Sequence, residues 1–151
     1  MDQRVLDQAS DYAFARLNEV GGDIGRIPEV LRTLVLVYRA QRIIDDGGLE
    51  YFYLSDYPGQ PSYIEFVEAY QRIGAQRAAE CIRRSSQLFG VPQPHKNRVA
   101  RQAVLSDQQS REVQVLKWLN GDICGDASVW ESLAVYATDH GDEFGLGRSD
   151  F

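Results

Sequence analysis

The sequence predicts an all-α fold, a single compact multi-helix domain of roughly six to eight helices spanning residues 1–151. Three observations carry that reading. Val5, Leu6, Ala9, Tyr12, Ala13 and Leu17 recur at three- and four-residue spacing, which writes one stripe of an amphipathic helix. The apolar run from Leu31 to Ile44 continues past strand length without a break, so its flanks favour a central helix, apolar all round. Ser62 and Glu65 stand three apart just ahead of the stripe Tyr63, Phe66, Val67, Tyr70 and Ile73, the signature of a capping box.

The remaining elements follow in order. Gly21-Gly22 closes the first helix, and Pro28 suits the opening of the next because its missing N–H would be unpaired there. Asp45-Asp46-Gly47-Gly48 reads as a sharp stop after the central helix. The aromatic run Tyr51-Phe52-Tyr53 is too dense for one exposed turn, so Leu49 to Leu54 is expected to enter the core as a separate short helix. Asp56 to Pro61 is a loop on composition, and Gly74 breaks the chain after the capped helix. The next helix buries Ala75, Ala78, Ala79, Ile82 and Phe89 and exposes Gln76, Arg77, Arg83, Arg84 and Gln87. Gly90 to Lys96, with two prolines, is a linker too short to divide domains. Ser106-Asp107 is expected to cap a helix reaching Trp118-Leu119, which Asn120-Gly121 ends. Asp126 or Ser128 opens a last helix with Val129, Trp130, Leu133, Ala134 and Ala137 on its apolar face.

Composition bounds the function. The chain has 151 residues, 44% apolar and 25% charged, the balance of a soluble globular protein. No apolar run approaches the roughly 20 residues of a membrane-spanning helix, and the N-terminus lacks the pattern of a signal peptide, so a cytoplasmic location is expected. Two cysteines, Cys81 and Cys124, make neither a disulfide framework nor a CxxC site. The formal charge is −6, unevenly placed: residues 117–151 hold seven acids against two bases, whereas the stretch from Arg72 to Arg111 holds eight bases. An acidic chain is repelled by a phosphate backbone, so direct nucleic-acid binding is disfavoured, and the arginines of that stretch are expected to pair with acids of the same fold.

Chemistry-bearing motifs are missing. His95 and His140 lack the ligand spacing of a zinc or di-iron site, and there is no phosphate-binding loop, nucleophile elbow or SxxK pair. Cys81 reads as a small core residue, and Cys124 has no basic neighbour to activate it. The carboxylate pairs Asp45-Asp46, Glu65/Glu68 and Asp142-Glu143 suit capping or solvated roles. No catalytic, cofactor-binding or metal residue is assigned, no cofactor is expected, and the chain is read as a non-enzyme.

Three blocks, in order, point to a family: Ile43-Ile44-Asp45-Asp46-Gly47-Gly48-Leu49-Glu50-Tyr51-Phe52-Tyr53-Leu54-Ser55; Tyr70 to Leu88, with Ile73-Gly74-Ala75 and Ala78-Ala79-Glu80; and Trp130-Glu131-Ser132-Leu133 followed by Tyr136, His140 and Glu143-Phe144. Over about residues 30–145 the chain resembles the bacterial DNA-mimic-protein-like family, a domain of unknown function. The resemblance implies an all-helical, non-catalytic module that masks a surface of a partner protein, by presenting acids as DNA presents phosphates to a DNA-binding protein. The partner-binding residues expected on that reading are Asp45, Asp46 and Glu50 after the central helix, and Asp139, Asp142 and Glu143 at the end of the last. The alternative is an immunity or antitoxin-like protein that neutralises a cognate toxin, using the arginine-rich helix at residues 75–89 together with the acidic tail. Gly47-Gly48 is read as backbone geometry, and Tyr51, Phe52 and Leu54 as packing. The aromatic excess leaves room for a homodimer patch.

Overall fold

The computed structural model describes residues 2–146 and is built of helices. Seven α-helices run in order: α1 Gln3–Glu19, α2 Glu29–Leu54, α3 Tyr63–Arg72, α4 Gln76–Ser86, α5 Arg98–Ser106, α6 Arg111–Leu119 and α7 Ala127–Asp139. Short 3₁₀ turns intervene at 24–26, 87–89, 94–96 and 120–122, and no strand occurs among the described residues. Helix α2 is the axis: α1, α3, α5, α6 and α7 all pack against it. Leu31, Leu34, Val35, Leu36, Val37, Ala40 and Ile44 are buried around most of its circumference, and Arg32, Arg39, Arg42 and Asp46 mark the one face left partly open.

Helix starts follow local chemistry. The Asp2 carboxylate accepts from the N–H groups of Arg4 and Val5, and Asp126 does the same for Ser128. Ser62 and Glu65 form the expected capping box, with the Ser62 N–H donating to Glu65 Oε2 at 2.7 Å. Helix α5 differs from expectation. The sequence reads as linker into a cap at Ser106-Asp107, but Asn97 caps a helix over 98–106 and Ser110 caps α6. The inward residues of α5 are Arg101 and Leu105, so it has no apolar stripe to reveal it.

The larger correction concerns α2. It does not stop at Asp45–Gly48. It continues through Gly47, breaks at Gly48 alone (φ +75°, ψ −175°) and resumes to Leu54. That backbone region is open in practice to glycine only. A Cβ at Gly48 would lie 2.9 Å from the Asn120 side-chain nitrogen, and Asn120 Oδ1 accepts the Leu49 N–H at 2.7 Å. Asn120 thus caps the second half of α2 from 71 residues away, satisfying a donor that the break releases. At Gly47 the constraint is space, because the Tyr51 ring occupies the position of a Cβ. Tyr51 and Leu54, expected to pack, are exposed instead; Leu49, Phe52 and Tyr53 are the buried residues of this half-helix.

Phe52 sits among Tyr53, Tyr57, Tyr63 and Phe66 at ring separations of 4.9 to 5.8 Å. Two of its phenols find partners inside: Tyr53 Oη pairs with Ser85 Oγ at 2.5 Å, and Tyr57 Oη donates to the Phe52 carbonyl at 3.1 Å. Burial pushes the Tyr53 and Tyr70 hydroxyl pKa values up, and that of Tyr63 to about 12. Beside this cluster lies Arg101, 1% exposed, which sequence reading places with a basic surface stretch. Its Nε donates to the Tyr53 carbonyl at 2.7 Å, Nη1 to the Pro94 and His95 carbonyls at 2.9 Å, and Nη2 to Asp56. A guanidinium cannot shed its charge, so it is tolerated inside only because its donors are matched.

Two outcomes follow. Asn120→Ala should lower stability by about 1–2 kcal/mol, the loss of a cap, and Gly48→Ala by at least as much, both as a reduced urea midpoint. Arg101→Met, which strands three carbonyls and Asp56, should cost about 3 kcal/mol or more. The hydrogen bond from Arg101 holds the Asp56 carboxyl below its ordinary pKa. Its contribution is therefore fully present above the unfolded carboxyl value of about 4 and lost as pH falls through the lower folded value. Acid unfolding of Asp56→Asn should lack that component.

Candidate protein-binding surface

The first expected acid group lies at the break in α2, and its members have different fates. Asp45 is committed to the fold. Its Oδ1 accepts from Gln41 Nε2 and from the Gly125 N–H, and its Oδ2 from the indole of Trp130, each at 2.8 Å. Gln41, fully buried, also donates to the Ile123 carbonyl at 2.8 Å and accepts from Tyr70 Oη at 2.9 Å. One carboxylate and one amide therefore join α2, α3, the turn before α7 and α7 itself. Asp45 does not cap the turn that follows it, as local sequence suggests. Asp46 beside it is exposed, and Glu50 is half-buried, accepting from Gln108 Nε2 at 3.4 Å.

The second group, Asp139, Asp142 and Glu143, is exposed where α7 ends. His140 Nδ1 lies 3.9 Å from Glu143 Oε2, and its ring packs 4.4 Å from Tyr136. Asp45 meets α7 at Trp130, near its start, while Asp139 closes it. The nine intervening steps span about 13 Å, so the two acid groups stand toward opposite ends of α7.

The structure adds residues that the motif reading missed. Glu131, Val135 and Asp139 repeat at four-residue spacing along the outer side of α7, and Asp2 at the start of α1 lines the same groove with them. Val135 is 58% exposed and stands between the acids. The four-residue spacing was a usable signal; Asp2 gives none, because only packing of α1 on α7 brings it there.

The basic stretch is largely discharged within the fold. Arg72 pairs with Glu29 at 3.3 Å, Arg77 with Asp122 at 2.5 Å, Arg83 with Glu80, and Arg98 with Asp56 at 2.9 Å, alongside the buried Arg101. Exposed pairs of this kind add little stability, but they cancel local field. Among the described residues, Asp2, Asp46, Glu131, Asp139 and Asp142 form no ion pair with Lys or Arg.

Titratable chemistry is quiet. The carboxyls of Asp56 and Glu80 are held below their ordinary values, each chiefly by a hydrogen bond from arginine. Burial pushes the Cys81 thiol up to about 11, which keeps it protonated. The open groove beside the Pro92–Pro94 loop, about 490 Å³, is lined by Tyr63, Ile64, Val91 and His95 and contains no carboxylate. No three His, Cys, Asp or Glu side chains converge as metal ligands among the described residues, and no helix there is long and apolar enough to cross a membrane.

Because the Asp45 carboxylate holds three donors on separate elements, Asp45→Ala should lower stability by about 2–3 kcal/mol. Trp130→Phe should cost about 1 kcal/mol. A double-mutant cycle in urea should show the pair coupled rather than additive.

Residues 25–140 match the family model described as DMP19-like protein. No curated protein and no solved structure matches the chain. The matched span contains α2 with its break, the Asn120 cap, the Asp45 network and α7. A match over this much of the sequence places the chain in the DMP19-like family of DNA-mimic proteins.

Proposed function

We propose that this protein masks the DNA-binding surface of a DNA-binding protein by offering carboxylates in place of phosphates. Family membership supports the class of partner. The observation that carries the reading is the disposition of charge. The arginines of residues 72–101 are mostly paired within the fold, while Asp2, Glu131 and Asp139 surround the exposed Val135 without a cationic partner. A net −6 is modest for a mimic. What a basic groove reader senses, however, is the local field within a Debye length of about 8 Å, where the nearby Arg72, which shares a groove with Glu131 and Asp139, is itself paired with Glu29.

On this reading Asp139, Asp142 and Glu143 contact the partner with Glu131 and Asp2, and Asp46 and Glu50 form a separate acidic site near the break. Asp45 acts by holding α7 in place rather than by contact. The action is occupancy and needs no cofactor or catalytic group. Val135 would supply a small apolar contact at the centre of a polar rim.

The test is capture of partners on the immobilised protein, eluted by a salt gradient and challenged with duplex DNA. A DNA-binding protein that leaves at moderate salt and is displaced by duplex is the expected result, with Glu131→Lys/Asp139→Lys reducing affinity by about tenfold or more. Binding that is unchanged between low and high salt would overturn the reading. A single toxin-like protein retained at high salt would put an immunity role in its place.

A further inference from the structure

Helices α4 and α6 meet in an antiparallel register. Arg77 pairs with Asp122 at 2.5 Å, Cys81 Sγ donates to the Leu119 carbonyl at 3.7 Å, and the Arg84 guanidinium lies over the Trp118 ring at 5.6 Å. These contacts ascend α4 while they descend the turn after α6 and α6 itself. The same register continues into a surface groove of about 420 Å³. It is lined by Arg84, by Gln87 and Leu88 of the 3₁₀ turn that extends α4, and by Arg111, Glu112 and Val115 of α6. Trp118 flanks it, 66% exposed and the largest apolar side chain left open on the described surface.

Neither Arg84 nor Arg111 forms an ion pair among the described residues. Glu80, one turn before Arg84, is held instead by Arg83, whose Nε donates to it at 2.8 Å. Arg111 opens α6, where the helix dipole already favours an anion. Arg84 stands at the level of Trp118, and the distance from residue 111 to residue 118 along α6 is about 10 Å. The groove therefore has a cation toward each end, with Leu88 and Val115 lining it with them. Exposed Trp and Arg beside aliphatic side chains is the composition of binding hot spots. The charge fits an acidic occupant. A nucleic acid fits less well, since Glu112 stands in the wall, the chain carries −6, and Leu88 and Val115 offer nothing to a phosphate. An extended peptide also fits less well, because helical walls provide no free strand edge to pair its backbone. A helix arrives with its backbone already satisfied.

We propose that the α4–α6 groove is a docking site for an amphipathic helical segment of a partner protein, one that carries two acids about two turns apart with aliphatic residues between them. Positions seven apart on a helix share a face and lie about 10 Å apart, which is the separation of the two cations. One carboxylate meets Arg84 beside Trp118, the other meets Arg111 at the start of α6, and the aliphatic side chains cover Leu88 and Val115. Trp118 closes the edge of the groove and loses water when the segment binds. The groove shares no lining residue with the two grooves along α7. The docking site therefore stands on its own observations, whether or not the α7 acids mask a DNA-binding surface.

Fluorescence anisotropy of a labelled synthetic helix, titrated with the full chain, tests it. The probe is an alanine-rich peptide of about 16 residues, with two glutamates seven apart and leucines between them on the same face. It should bind with a Kd of about 100 µM or tighter, and Trp118 emission should shift to the blue. Arg84→Glu/Arg111→Glu should weaken binding by more than about tenfold. The same variant should gain affinity for the counterpart peptide with lysines in place of the glutamates, a swap that an unfolded chain would not show. Trp118→Ala should weaken the glutamate peptide by about fivefold or more with the charges unchanged. All three altered side chains are exposed, so helical content and the thermal midpoint should match the wild type. No binding at millimolar peptide, or equal binding of the glutamate and lysine peptides, would overturn the proposal. A single-stranded oligonucleotide that binds more tightly than the peptide, and is lost in Arg84→Glu/Arg111→Glu, would assign the groove to nucleic acid instead. A change in sedimentation on charge reversal, without peptide binding to the wild type, would assign it to a second copy of the chain.

Discussion

The arrangement of this protein depends on a single interruption in its central helix. Had α2 run straight from Glu29 to Leu54, the aromatic residues of its last turns would face other directions, and the cluster of Phe52, Tyr53, Tyr57, Tyr63 and Phe66 would not close around them. A break exposes backbone donors, and burial then makes each unpaired donor costly. Glycine at position 48 makes the turn sterically accessible, and Asn120 fills the space where a Cβ would be while accepting the Leu49 N–H. The break and the chain segment after α6 therefore specify each other. Glycine without the asparagine would leave a donor unmatched, and the asparagine without the glycine would have no room.

Two polar networks extend the same logic. Gln41 and Asp45 bind the α2 axis to Tyr70 of α3, the Ile123 carbonyl, Gly125 and Trp130 of α7. Arg101 binds the end of α2 to the Pro94–His95 turn and to Asp56. Neither is a source of large net stability, since each polar group was already solvated in the unfolded chain. Their effect is on arrangement: a helix shifted by one residue would leave several buried groups unmatched. In this way residues that look like surface charge in the sequence decide how the helices are set against the axis.

Charge is then sorted by the fold into regions of different character. Most arginines of residues 72–101 are consumed in internal pairs, while Glu131 and Asp139 on the outer side of α7 form no ion pair with Lys or Arg among the described residues. A chain of modest net charge can therefore still leave acids without a direct cationic partner on one local face.

The sequence by itself determined the helical class, the buried apolar run within residues 31–44, the capping box at Ser62 and Glu65, the limits of α7 and the family. Each of these depends on residues within a few positions of one another, where periodicity and capping act. It also marked the acids Asp46, Asp139, Asp142 and Glu143, which the fold leaves exposed. Only the tertiary structure decided that α2 continues past Gly47, that α5 exists, that Arg101 is buried and that Asp45 faces inward. Those outcomes rest on partners far along the chain: 71 residues from Leu49 to Asn120, and 85 from Asp45 to Trp130. A side chain's charge is visible in the sequence, but whether it faces solvent or a donor on another helix is fixed by packing alone.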